Sequence, residues 1–351
     1  MTTVNMAQRN LGGEKIHAKE PSKNAKNNLK RRAFRDVTNQ SVEDVLASSK
    51  SSKEKSKEQS SKLFSKHLEP IRVSSIPTHH SNAQPEDIDE RDKNDPQCAS
   101  DYVKAMYDHF KLNERKMSID PDFMNSQPHV NERMRAILVD WLIEVHQKFK
   151  LVPETLYLTI NIVDRYLMKC HVTRSKLQLV GVTSLMIASK YEEIYPPSIT
   201  DLVYICDRAY SKQEILDMEE TVLKTLFYRV TIASAHAFLV RFLKAGHADK
   251  KMVQLSCFIL DGTLQDCSLL THFPSQLAAA SVFIARRCVG RNAWSPTLLA
   301  HTGYKEDDVA PVARAILKAK DDSCSELRAI VKKYSSSRYG SVANTKFVTD
   351  F

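Results

Sequence analysis

Glycine occupies only 8 of the 351 positions in this chain, about 2% where globular proteins carry ~7%. Backbone that must approach a phosphate closely, or turn with positive φ, depends on glycine. Neither a G-x-G-x-x-G nor a G-x-x-x-x-G-K-[ST] pattern occurs, which argues against dinucleotide-binding and P-loop folds. Hairpins lean on Asn-Gly or Asp-Gly turns, and Asp261-Gly262 is the single such pair, too few for a β-rich fold. The expected fold class is all-α, with tight and mostly glycine-free connections.

Charge is distributed unevenly. The formal net charge is +9, yet residues 1–67 alone hold 15 Lys/Arg against 7 Asp/Glu. Residues 68–98 reverse the sign, with 3 Lys/Arg and 7 Asp/Glu. Val, Ile, Leu and Phe make up less than a fifth of the first 67 residues, the composition of a segment that cannot bury a core. Residues 48–66 are rich in Ser and Lys, and Pro70, Pro77, Pro85 and Pro96 follow. Residues 1–98 are therefore expected to form a disordered arm. Because the arm carries most of the positive charge, a folded nucleic-acid surface is not expected.

The 7 cysteines are odd in number and include no C-x-x-C pair, so reduced thiols are expected and no metal site or cofactor is. No N-terminal apolar run resembles a signal peptide, and the longest apolar stretches, such as residues 277–285, are too short for a membrane span. A soluble intracellular chain with no membrane partner is the expectation. His79-His80 reads as a solvated pair, and the Asn39-Gln40-Ser41 sequon has no secretory context. Ser295-Pro296 fits a helix cap as well as a proline-directed phosphorylation site.

Helical periodicity begins near residue 99. It predicts helices over 99–112, 131–149, 154–169, 174–191, 199–208 and 212–227, then 234–245, 249–266, 275–289, 294–302 and 306–333. Ser198-x-x-Asp201 and Ser211-x-x-Glu214 are capping-box patterns, and Pro153, Pro197, Pro274 and Pro296 suit first helical turns. Residues 177–188 align without gaps on 274–285, pairing Gly181 with Ala278, Ser184 with Ser281 and Ala188 with Ala285. Small residues three and four apart share one helix face and let neighbours approach closely. Two bundles of about five helices, each around such a central helix, would follow; chance likeness between two Ala/Leu-rich helices is the alternative.

Met134, Ile137, Leu138, Trp141, Leu142 and Val145 keep a helical spacing, but Ala136, Val139 and Ile143 are apolar too. A helix apolar nearly all round is either central or offers one face to a partner. This segment, residues 134–144, closely resembles the cyclin box, as do residues 154–167, Lys176-Leu-Gln-Leu-Val-Gly181 and residues 188–197. Residues 272–279 and Phe238-Leu-Val-Arg-Phe242 are closer to B-type than to A-type second boxes. The resemblance covers residues 99–333. It implies two tandem five-helix cyclin-box repeats preceded by an N-terminal helix: residues 99–230 with that helix, 231–334, and a polar tail at 335–351.

The resemblance also implies roles. Lys190 and Glu219 would hydrogen-bond the main chain of a cyclin-dependent kinase, with Tyr191, Ile194, Ile215 and Leu223 packed beside them. From spacing alone, Glu219 sits between Ile215 and Val222 on an apolar face, and an internal Lys190–Glu219 pair is the plainer reading. Arg135 and Asp164 match an internal ion pair. Met134, Ile137, Leu138, Trp141, Glu144, Leu177 and Gln178 match a groove for substrates with Arg-x-Leu motifs, Glu144 attracting the basic residue.

In the arm, Arg31, Val37 and Asn39 fit a destruction box in which Phe34 replaces the usual Leu. Such a box would dock to the anaphase-promoting ubiquitin ligase, with Lys50, Lys53, Lys55, Lys57, Lys62 and Lys66 within reach. Lys30-Arg31-Arg32 also reads as a nuclear-import or nucleic-acid patch. The expectation is a non-catalytic activator of a mitotic cyclin-dependent kinase, nuclear and cytoplasmic and removed by proteolysis. An A-type cyclin and a transcription-linked adaptor of the same fold are the alternatives.

Overall fold

The computed structural model describes residues 84–291 and 294–349. Among them the α-helices number twelve and no strand occurs. Helix α1 (Ser100–Lys116) stands ahead of two sets of five. The first set is α2 (Glu132–Phe149), α3 (Pro153–Leu167), α4 (Arg174–Glu192), α5 (Ile199–Ile205) and α6 (Lys212–Thr225). The second is α7 (Ala235–Ala245), α8 (Lys250–Thr263), α9 (Pro274–Cys288), α10 (Pro296–Thr302) and α11 (Glu306–Asp321), followed by α12 (Ala329–Ser335).

Side-chain caps start half of these helices. Asn131 accepts the Met134 N–H at 3.0 Å ahead of α2, and Ser198, Ser211, Ser234, Asp249 and Ser295 cap α5, α6, α7, α8 and α10 in the same way. Each satisfies a donor that the helix itself leaves orphaned. Ser211 and Glu214 complete a reciprocal capping box. Pro153, Pro274 and Pro296 occupy first-turn positions, where the missing N–H costs nothing. Pro197 lies just outside α5 instead, ahead of its cap.

Helices α4 and α9 are the two axes. Every residue of α4 from Leu177 to Ser189 is buried, as is every residue of α9 from Leu277 to Ala285. α2, α3, α5 and α6 touch α4, while α7, α8 and α11 surround α9. Close packing explains the one glycine within α4: a Cβ on Gly181 would stand 2.8 Å from Leu138 Cδ1. The paired positions Ala278, Ser281 and Ala285 are all fully buried in α9. Helices without large side chains at such points let neighbours come near enough to fill the core at native density.

Polar bonds as well as apolar contacts join the two sets. Asp261 of α8 accepts from Tyr157 of α3 at 2.8 Å, from Lys333 of α12 at 2.7 Å and from Tyr334 at 2.9 Å. All four side chains are buried or nearly so. A buried carboxylate is tolerable only with this degree of satisfaction.

Several boundaries differ from those read in the sequence. Residues 84–98, expected within the arm, lie on the second set. Ile88 is buried, Asp89 forms a bidentate pair with Arg241, and Lys244 bridges Asp89 and Asp92. The acidic run thus meets basic residues of α7, holding Asp89 down at about 2 chiefly through the hydrogen bond from Arg241. Helix α1, grouped with the first repeat by resemblance, also packs on the second. Tyr107 and Phe110 set their rings against Phe238 at 5.9 and 6.3 Å.

The single helix expected over 306–333 is two. Asp321, Asp322, Ser323 and Ser325 offer local bonds that compete with helix, and α12 restarts where Asp140 of α2 accepts the Ala329 N–H at 3.0 Å. The tail at 335–351 is also less polar in place than in composition. Val342 is buried, and the Phe347 ring stands 6.1 Å from that of Phe258.

Candidate functional site

Lys190 sits in the last turn of α4, where a cation suits the helix dipole. Its Nζ lies 2.6 Å from Glu219 Oε1 of α6, the lysine half-exposed and the glutamate 16% exposed. The carboxylate on the apolar face of α6 is therefore paired within the chain. Beyond α4 the side chains turn outward: Ile194 and Tyr195 are each 75% exposed. Tyr191 is half-exposed, its hydroxyl 2.6 Å from Thr231 Oγ1. Leu223 is half-buried beside them on α6.

Ile215 is a correction. It is fully buried, because α6 turns the row of Ile215, Val222 and Leu226 toward its own bundle. It supports the patch from beneath and offers a partner no surface. Two aromatics outside the residues that the resemblance singles out stand here as well. Phe227 and Tyr228 are 71% and 65% exposed, and both hold left-handed backbone, φ 52° and 56°. Bulky residues adopt such φ only where the surroundings enforce it. The available signal was a pair of aromatics directly after Leu226, out of register with the buried row.

The α2 residues form a second surface. Met134, Ile137 and Glu144 are half-buried, and Trp141 shows only its edge. Leu138 and Leu177 are buried, so they are floor rather than wall. Gln178 is buried as well, and its side-chain oxygen has no hydrogen-bond partner. Lys332 of α12 stands 4.0 Å from Glu144. Beside this surface, a cleft of about 1060 Å³ opens between α2 and the second set, lined by Arg133, Ile137, Phe258, Ile316, Ile330 and Lys332.

Arg135 and Asp164 join α2 to α3 through two bonds of 2.6 Å, both side chains 1% exposed. Burial alone would lower the guanidinium pKa, but Asp164 outweighs it and drives the value up. Arg135 also donates to the Leu264 carbonyl at 3.1 Å, reaching the second set. Such a pair is structural, with neither partner free for chemistry.

Arg31, Phe34, Val37, Asn39, His79, His80 and the arm lysines lie outside the described residues. Among the described residues no cluster of three His, Cys, Asp or Glu is placed to hold a metal, and no helix is long and apolar enough to cross a membrane.

Comparison with known proteins fits this architecture. Residues 105–231 match the family model described as cyclin, N-terminal domain, and residues 233–347 match cyclin, C-terminal domain. Cyclin-B2-1 of Oryza sativa subsp. japonica is 43% identical over 262 residues, covering 74% of this chain and 62% of that protein. Cyclin-B1-3 of Arabidopsis thaliana is 45% identical over 262 residues, covering 73% and 62%. G2/mitotic-specific cyclin-B of Dictyostelium discoideum is 42% identical, covering 74% and 60%. The matched region thus spans about three-fifths of these relatives' length. The X-ray structure of a viral cyclin from herpesvirus saimiri shares the fold, with a TM-score of 0.56 at 19% identity over 61% of this chain and 96% of the other. The two family models follow one another along the two helical sets, and the chain belongs to the cyclin family.

Proposed function

We propose that this chain is the regulatory subunit of a mitotic cyclin-dependent serine/threonine kinase, of the B type, with no catalysis of its own. The observation that carries the reading is the Lys190–Glu219 pair, with the exposed side chains of Tyr191, Ile194 and Tyr195 following Lys190 directly and exposed Tyr228 following α6. Large apolar and aromatic side chains left exposed together on a surface mark a protein interface. Lys190 carries three donors and Glu219 only acceptors. Parted, the two satisfy one carbonyl and one N–H of a partner's main chain while the aromatics exclude water.

A partner kinase has two states, and only a surface that binds its active state better shifts that equilibrium. The patch would hold the kinase's regulatory helix inward, completing the Lys–Glu pair and metal site used in phosphoryl transfer. The half-buried face of α2 would recruit substrates with Arg-x-Leu motifs, Glu144 facing the arginine. Arg31, Phe34, Val37 and Asn39 would present the chain to the anaphase-promoting ubiquitin ligase at mitotic exit, in nucleus and cytoplasm. The names of the B-type and G2/mitotic relatives support this reading over the A type.

The test is kinase activation in extracts of dividing cells. Lys190→Ala with Glu219→Ala should fold normally, because removing both partners leaves no unpaired charge behind. Truncating interfacial charge partners costs ~2–5 kcal/mol, so kinase binding should weaken at least ~30-fold and activity fall with it. Undiminished activation by the double variant refutes the patch. In the same cells a chain lacking residues 31–39 should outlast mitosis, and unchanged turnover refutes the destruction box.

A further inference from the structure

Glu144 already has a cation opposite it within the chain. Its carboxylate faces Lys332 at 4.0 Å, and the neighbouring bonds show why the lysine stands there. One turn back on α2, Asp140 accepts the Ala329 N–H at the start of α12, and Gln265 steadies Asp140 at 2.7 Å. One residue beyond Lys332, Lys333 is locked onto buried Asp261. Helix α12 is thus pinned on both sides of Lys332 by carboxylates of α2 and α8. One turn forward of Asp140 on α2 lies Glu144; one turn forward of Ala329 on α12 lies Lys332. The two helices advance together, which delivers the ammonium to the carboxylate.

We propose that Lys332 sets the selectivity of the docking face by serving as the built-in counter-ion of Glu144. This deepens the docking-groove reading and rests on it. An arginine-bearing peptide gains less from Glu144 while Lys332 stands opposite it. A lone basic residue is then a poor recruiting signal, and apolar contacts with Met134, Ile137 and Trp141 carry more of the discrimination. Lys332 is 68% exposed, so displacement asks only for a change of rotamer, and the gate is graded rather than closed. The same side chain also stands at the rim of the 1060 Å³ cleft, so a peptide leaving the groove in that direction passes it.

The experiment measures binding of two fluorescent synthetic peptides to the purified full-length chain. One carries an Arg-x-Leu motif, and the other has citrulline, a neutral isostere, in place of the arginine. Lys332→Ala should tighten the arginine peptide by about two- to fivefold, the scale of an exposed charge pair, and leave the citrulline peptide unchanged. Lys332→Glu should tighten the arginine peptide further, and Glu144→Gln should remove the effect of either change. Equal affinity of Lys332→Ala and wild type for the arginine peptide, with Glu144→Gln still weakening it, overturns the gate and leaves the groove standing. Equal tightening of both peptides overturns it too, since the gain is then space rather than charge. No binding by any variant, or indifference to Glu144→Gln, refutes the groove and the gate together.

Discussion

Individual residues carry much of what is unusual in this protein. His146 of α2 is buried, with one ring nitrogen 2.8 Å from the Val152 carbonyl and the other without a partner. Burial pulls its pKa down to about 4. An unfolded imidazole takes up its proton near 6.5, so the unfolded chain binds protons first as pH falls. The stability contributed by neutral His146 is complete above pH ~6.5 and drains away towards pH 4, by up to ~3 kcal/mol. Melting curves between pH 7 and 4.5 should therefore show a steep loss of Tm that His146→Gln flattens. An identical slope in the variant would assign the acid sensitivity elsewhere.

At the same scale, alternation of apolar residues distinguished a buried face from an open one less well than it located helices. Ile215 and Leu223 lie on one helix of one composition, yet the first is fully buried and the second half-open. A period of 3.6 defines the face but not its depth, which depends on how closely α4 comes to α6.

Among the elements, α1 is the one whose placement rests on a single carboxylate as much as on rings. Glu114 accepts from the Ser275 N–H at 2.9 Å and from its hydroxyl at 2.7 Å, closing the start of α9 in place of a local cap. An acid there is favoured by the helix dipole, although burial pushes its own pKa up. Glu114→Ala leaves a buried donor unpaired at the head of α9, a loss of ~1–3 kcal/mol. Amide exchange should quicken in α1 and in the first turn of α9 while α2 to α6 stay protected. Uniform quickening along the chain would show that α1 is no separate unit.

The sequence announced most of these elements through their ends. Ser211 with Glu214, and Pro153, Pro274 and Pro296, mark helix starts by chemistry confined to four residues. It could not announce where α12 restarts after the Asp and Ser residues that end α11, because that point depends on Asp140 arriving from another helix. Nor could it place residues 84–98. Their acids read as solvated charge until Arg241 and Lys244 are brought opposite them.

As a whole molecule, the two helical sets are joined by the buried assembly of Tyr157, Asp261, Lys333 and Tyr334. Lys333→Met strands a carboxylate in the interior, a change that costs ~3–5 kcal/mol. Lys332→Met, one residue away on the exposed side of α12, should cost less than ~0.5 kcal/mol. Urea unfolding followed through Trp141 in the first set and Trp294 in the second measures both at once. Near-equal midpoints for the two variants would show that the assembly is not what holds the sets together.

The sequence by itself determined the helices, the two small-residue axes and the absence of a glycine-built phosphate loop, because each follows from residues near one another along the chain. The cyclin-box pattern added which side chains to watch. Only the tertiary structure decided that Lys190 already holds Glu219, that Lys332 stands opposite Glu144, that Ile215 is out of reach, and that α1 and residues 84–98 pack against the second set. Those outcomes depend on charges and faces from distant segments meeting in one place. A local sequence encodes which face a helix offers, and only the packed chain selects what that face meets.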